Sequence, residues 1–85
     1  MKCQVYRTKM GEGWHLPGNA ESKTELVFES DAEEAAVRWM KDDMADMTAK
    51  WPELGEVSPS KVKGARFWQA GTPNFGLGYE ILISE

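Results

Sequence analysis

The pattern of apolar and polar positions divides the chain into four extended stretches and one helix. The helical stretch is the longest and most regular. Between Ser30 and Trp51, the residues Val37, Met40, Met44, Met47, Thr48 and Trp51 fall on one stripe at about 100° per residue, flanked by Ala36. The opposite face carries Asp31, Glu34, Arg38, Asp42 and Asp46, with Asp46 four residues before Lys50. Ser30 stands three residues before Glu33, the spacing of a capping box, and Asp31, Glu33 and Glu34 crowd the first turn, where the helix dipole favours anions. Pro52 disfavours a helical backbone at Trp51. These signals predict a helix over about 31–51, with Trp39 on its flank as a residue lying across the sheet edge.

Period-two alternation predicts the strands. Lys2–Lys9 alternates around Cys3, Val5 and Tyr6. Thr24–Glu29 is expected to place Leu26 and Phe28 on one face and Glu25, Val27 and Glu29 on the other. A third strand is expected from about Lys61 to Ala70. The fourth, Leu77–Ser84, is the clearest, with Leu77, Tyr79, Ile81 and Ile83 on one side and Gly78, Glu80, Leu82 and Ser84 on the other. The first two strands form an antiparallel hairpin with a long glycine-rich connection, and Leu54 is expected to tuck beneath the helix end. The expectation is one small α+β domain over 1–85, in the order β-β-α-β-β, with an antiparallel four-stranded sheet and one amphipathic helix packed on one face.

A chain of 85 residues supports one modest core but not a large enclosed cavity. A hydrophobic content of 41% argues against intrinsic disorder. The lone Cys3 cannot form an internal disulfide, which favours a reducing, cytoplasmic setting. The first ten residues alternate polar and apolar positions, so no signal peptide is expected, and no run approaches the ~20 apolar residues of a membrane span. The net charge of −4 is unevenly spread: residues 1–30 sum to 0, residues 31–57 to −5, and residues 58–85 to +1. The acidity therefore lies on and just after the helix. Such a chain is a poor general binder of nucleic acid and better suited to a basic surface on another protein.

The candidate chemistry is thin. His15 is the only histidine and has no second histidine or cysteine at ligand spacing, so no metal site is expected, and no residue set calls for a cofactor. A Cys3–His15 dyad has no motif behind it; a strand cysteine is more commonly a small packing residue. Asp42, Asp43 and Asp46 read as a solvated helix face rather than a catalytic cluster. The segment Gly71–Gly78 lacks the ending of a phosphate loop and is explained as turn chemistry.

Two features remain. Trp14, His15 and Leu16 in the long loop would suit a protein contact, as would Trp39 and the acidic pair Asp42 and Asp46. Lys61, Lys63, Phe67 and Trp68 form a basic-aromatic group that could stack a base and touch phosphate, although simple alternation puts Trp68 on the opposite face from the other three. The expectation is a non-enzymatic protein-interaction domain: an adaptor, regulator or inhibitor of a larger complex. It would bind through exposed aromatics and an acidic helix face. The alternative is a single-stranded nucleic-acid-binding domain. The overall pattern is similar to that of many small accessory proteins of bacteria and their phages, but no motif carries residues over from them. One helix covers only one sheet face, and a second copy of the chain would suit the other.

Overall fold

The computed structural model describes residues 1–14, 22–55, 58–62, 65–72 and 75–84, with the backbone alone for 12, 58–62 and 65–70. Five strands and one long helix follow one another as β1 (Lys2–Met10), β2 (Ser22–Ser30), α1 (Glu33–Lys50), β3 (Ser58–Val62), β4 (Ala65–Thr72) and β5 (Phe75–Ser84). Single 3-10 turns stand at Glu12–Trp14 and Pro52–Leu54. All strand pairings are antiparallel, and the sheet order is β2-β1-β5-β4-β3. The class is the expected one: an α+β fold in which an antiparallel sheet carries one amphipathic helix.

The sheet has five strands where the apolar pattern suggests four. The stretch read as one strand from Lys61 to Ala70 is a hairpin in which Val62 pairs with Ala65 and Lys61 with Arg66. Only residues 63 and 64 separate the two strands, a break that alternation alone overlooks.

A second departure lies in β2. Val5 pairs with Phe28 while Tyr6 pairs with Leu26, so Val27 is the extra residue of a β-bulge. The bulge interrupts strict alternation, so Val27 and Phe28 both pack against the core. Leu26 is left 47% exposed on the other face. The expected pairing of Leu26 with Phe28 on one face is therefore corrected.

The helix begins later than its capping signal suggests. Ser30 is the last residue of β2, paired with Cys3, and its Oγ accepts from the Ala32 N–H at 3.1 Å. The residue that caps the helix is Ala32, with no side-chain cap bond. Strand pairing holds Ser30 in the extended region, so Ala32 rather than Ser30 takes the cap position. The far end behaves as predicted. Trp51 N–H reaches Met47 O, Pro52 starts a 3-10 turn, and Leu54 is buried beneath the helix end.

The core lies between α1 and the β1–β5 centre of the sheet. Ala36, Met40, Met44 and Met47 of the helix meet Cys3, Val5, Leu77, Tyr79, Ile81 and Leu54. Each fully buried apolar side chain of this size contributes about 1.5–3 kcal/mol. The predicted stripe is the buried stripe, and Asp31, Glu34, Arg38, Asp42 and Asp46 are all exposed. The helix packs on β1, β2 and β5. Among the described residues no helix is long and apolar enough to cross a membrane.

Candidate functional site

Cross-strand register sorts the sheet residues by face. Val5, Arg7 and Lys9 stand opposite Ile81, Tyr79 and Leu77 on the helix side. Gln4, Tyr6 and Thr8 stand opposite Leu82, Glu80 and Gly78 on the other side, which the helix does not cover. On this open face Leu26 pairs with Tyr6, and Leu82 sits one position along the same face from Glu80. Leu26, Tyr6 and Leu82 therefore form a short apolar diagonal across β2, β1 and β5, with Leu82 45% exposed. Polar groups frame it. Gln4 Nε2 donates to Glu29 Oε2 at 3.1 Å, Lys2 Nζ lies 3.5 Å from Glu29 Oε1, and the Thr8 and Thr24 hydroxyls are 2.9 Å apart. These exposed pairs set the rim and contribute little to stability.

The aromatic candidates lie elsewhere and are engaged. Trp14 is half-buried: it stacks on Phe75 at 4.4 Å, meets Trp51 edge-on at 5.0 Å, and donates from Nε1 to Gly76 O at 2.7 Å. Lys9 Nζ stands 5.1 Å from its ring centre, within cation-π range. Gly13 makes this closure feasible, since a Cβ there would fall 2.2 Å from the Phe75 ring. Trp14 thus seals one end of the sheet rather than standing free as a contact residue. His15 and Leu16 lie outside the described residues. Trp39 is half-buried and stacks on Phe28 at 5.3 Å, across the edge strand β2 as its flanking position predicts.

Asp42 and Asp46 are exposed on the helix, and Asp46 pairs with Lys50 at 3.1 Å. Asp43 departs from the expectation of a solvated acidic face. It points at the sheet, where its two oxygens accept from Arg7 Nη1 at 3.1 and 2.9 Å, and Oδ2 also accepts from Tyr79 Oη at 2.5 Å. Arg7 reaches on to Glu25 at 3.8 Å. Burial pushes the Tyr79 hydroxyl well above the ordinary tyrosine range, and its bond to Asp43 adds to the shift. Burial would lower the Arg7 value, but hydrogen bonding to Asp43 and the charges of Asp43 and Glu25 prevail and raise it. The signal for this cluster was present: Asp43 follows Trp39 by four and Met40 by three, on the flank of the buried stripe, and Arg7 and Tyr79 occupy core-side strand positions.

This network is chemically quiet. A guanidinium locked to a carboxylate and a tyrosine held protonated offer neither a base nor a nucleophile. Among the described residues no group of three or more His, Cys, Asp or Glu is placed to hold a metal ion. Cys3 is buried and free of disulfide.

The β3–β4 hairpin rearranges the basic-aromatic group. Lys61 stands opposite Arg66, with Trp68 one position further along that face of β4, whereas Phe67 pairs with Ser60 and Glu80 on the open face. The alternation that grouped Lys61 with Phe67 is replaced by one that groups Lys61 with Arg66 and Trp68. Lys63 lies outside the described residues. No family model, no curated protein and no solved structure matches the chain.

Proposed function

We propose that this chain is a small non-enzymatic protein-interaction domain, an adaptor, regulator or inhibitor of a larger complex, acting in the cytoplasm. The observation that carries the reading is the open sheet face: Leu26 and Leu82 remain exposed around Tyr6, while Arg7, Asp43 and Tyr79 on the helix side are bonded to one another. Apolar anchors inside a polar rim are the usual anatomy of a modest protein contact. Asp42 and Asp46 on the outer helix face would steer a basic partner. The buried, unpaired Cys3 fits a reducing compartment. Binding should be lost with Leu82→Arg, whereas Asp42→Lys with Asp46→Lys should slow association and reduce its salt dependence. Binding unchanged by Leu82→Arg would remove the reading.

A second reading rests on the β3–β4 register, which sets Lys61 opposite Arg66 with Trp68 nearby on the same face. That grouping would suit single-stranded nucleic acid. It calls for quenching of tryptophan fluorescence by an oligonucleotide and for loss of the quenching in Trp68→Phe; an oligonucleotide that leaves the emission unchanged would dismiss it.

A further inference from the structure

The two sheet edges are not equivalent. β3 carries Pro59, which has no amide hydrogen to give a neighbouring strand. β2, at the opposite edge, has no proline, and nothing among the described residues pairs with its outer side. Its second half is occupied, with Phe28 under Trp39 and the bulge at Val27. Its first half, Ser22–Leu26, is a regular extended edge in which Ser22, Lys23, Thr24 and Leu26 are exposed. Such a row of unpaired backbone groups is a template for another strand.

We propose that this edge pairs antiparallel with the same edge of a second copy, about a two-fold axis at Thr24, giving a dimer with a continuous sheet. The charge pattern selects the register. Residues opposed across an antiparallel pair share a sheet face, so the axis of a symmetric pair must fall on a residue. Within Ser22–Leu26, an axis at Lys23 opposes two lysines and an axis at Glu25 opposes two glutamates. An axis at Thr24 sets Lys23 against Glu25 of the second copy, twice. Both residues lie on the helix side of the sheet, where Lys23 pairs with Lys9 and Glu25 with Arg7. The same register sets Leu26 beside Ser22 of the second copy on the open face. The bulge at Val27 ends the pairing after five residues, and alternating charge disfavours slipped registers, so association stops at two copies. The pairing shares only Leu26 with the Leu26–Tyr6–Leu82 face, and Tyr6 and Leu82 stay available.

Sedimentation of the whole chain across a concentration series tests the proposal. The wild type should associate to a dimer and no further. Lys23→Glu opposes four glutamates and should raise the dimer dissociation constant about tenfold or more; Glu25→Lys opposes four lysines and should do the same. Mixing the two variants restores two opposite-charge pairs and should recover the dimer. Lys23 is exposed, so its substitution leaves the fold intact by circular dichroism even where Glu25→Lys, which faces Arg7, weakens it. A wild type that stays monomeric at every concentration overturns the proposal. So does a dimer indifferent to Lys23→Glu, which would place the contact elsewhere, on the open face for example.

Discussion

Asp43 and Tyr79 meet across the helix–sheet interface, the tyrosine hydroxyl donating to Asp43 Oδ2 at 2.5 Å while Arg7 grips the same carboxylate from the neighbouring strand. One helix residue is thereby fixed to both central strands, setting the rotation of α1 over the sheet. The side chains of Arg7 and Asp43 are only 18% and 15% exposed, so each charge depends on the other. Asp43→Ala strands the Arg7 guanidinium and should cost about 3 kcal/mol, read as a lower urea midpoint at unchanged slope. Replacing the whole cluster together, with Arg7→Met, Asp43→Leu and Tyr79→Phe, should recover most of that loss, since no buried polar group is then left without a partner.

The same contact makes stability sensitive to alkali. Below the unfolded tyrosine value of 10.0, Tyr79 is protonated whether the chain is folded or not. Because the folded value is raised, the unfolded chain releases this proton first as the pH climbs. Stability should therefore be full below pH 10 and fall as the pH rises beyond it. At a fixed urea concentration the folded fraction should decline above pH 10, and Tyr79→Phe should flatten that decline. Equal alkaline slopes in the two proteins would contradict the assignment.

Trp14 ties the start of the β1–β2 connection to β5. Trp14→Ala removes two aromatic contacts and the bond to Gly76 O, and should cost about 2 kcal/mol, less than a fully buried tryptophan. Gly13→Val should act in the same direction, since its side chain would have to displace the Phe75 ring. Thermal unfolding followed by tryptophan emission measures both.

The open face predicts a separation of stability from binding. Leu26→Arg and Leu82→Arg remove apolar side chains that the fold leaves about half exposed, so each should shift folding by no more than about 0.5 kcal/mol. A large loss of stability in either would mean that the fold itself depends on these leucines.

Most of the fold was legible in the sequence because periodicity and burial are the same signal in a small domain. Met40, Met44 and Met47 declared the inner face of the helix, and Leu77, Tyr79 and Ile81 declared that of β5. What escaped depends on pairing rather than composition. The bulge at Val27 is set by the register of β2 against β1, and it alone moves Leu26 to the open face. Strand pairing likewise takes Ser30 from the helix cap. The inward turn of Asp43 could not be read from charge, because an aspartate among Asp42, Lys41 and Asp46 looks solvated until Arg7 and Tyr79 are placed opposite it. The candidate site was legible only in outline: an uncovered sheet face and the place of Trp39 across the sheet edge were foreseen, whereas the packing of Trp14 on Phe75 and Trp51 depends on a long-range contact that no local pattern announces.

The most direct test of the interaction reading is capture from a bacterial lysate by the tagged chain, with and without nuclease, using the wild type and Leu82→Arg side by side. A stoichiometric protein partner should survive nuclease treatment and be lost with Leu82→Arg. Recovery that depends wholly on nucleic acid, or a partner retained equally by Leu82→Arg, would contradict it.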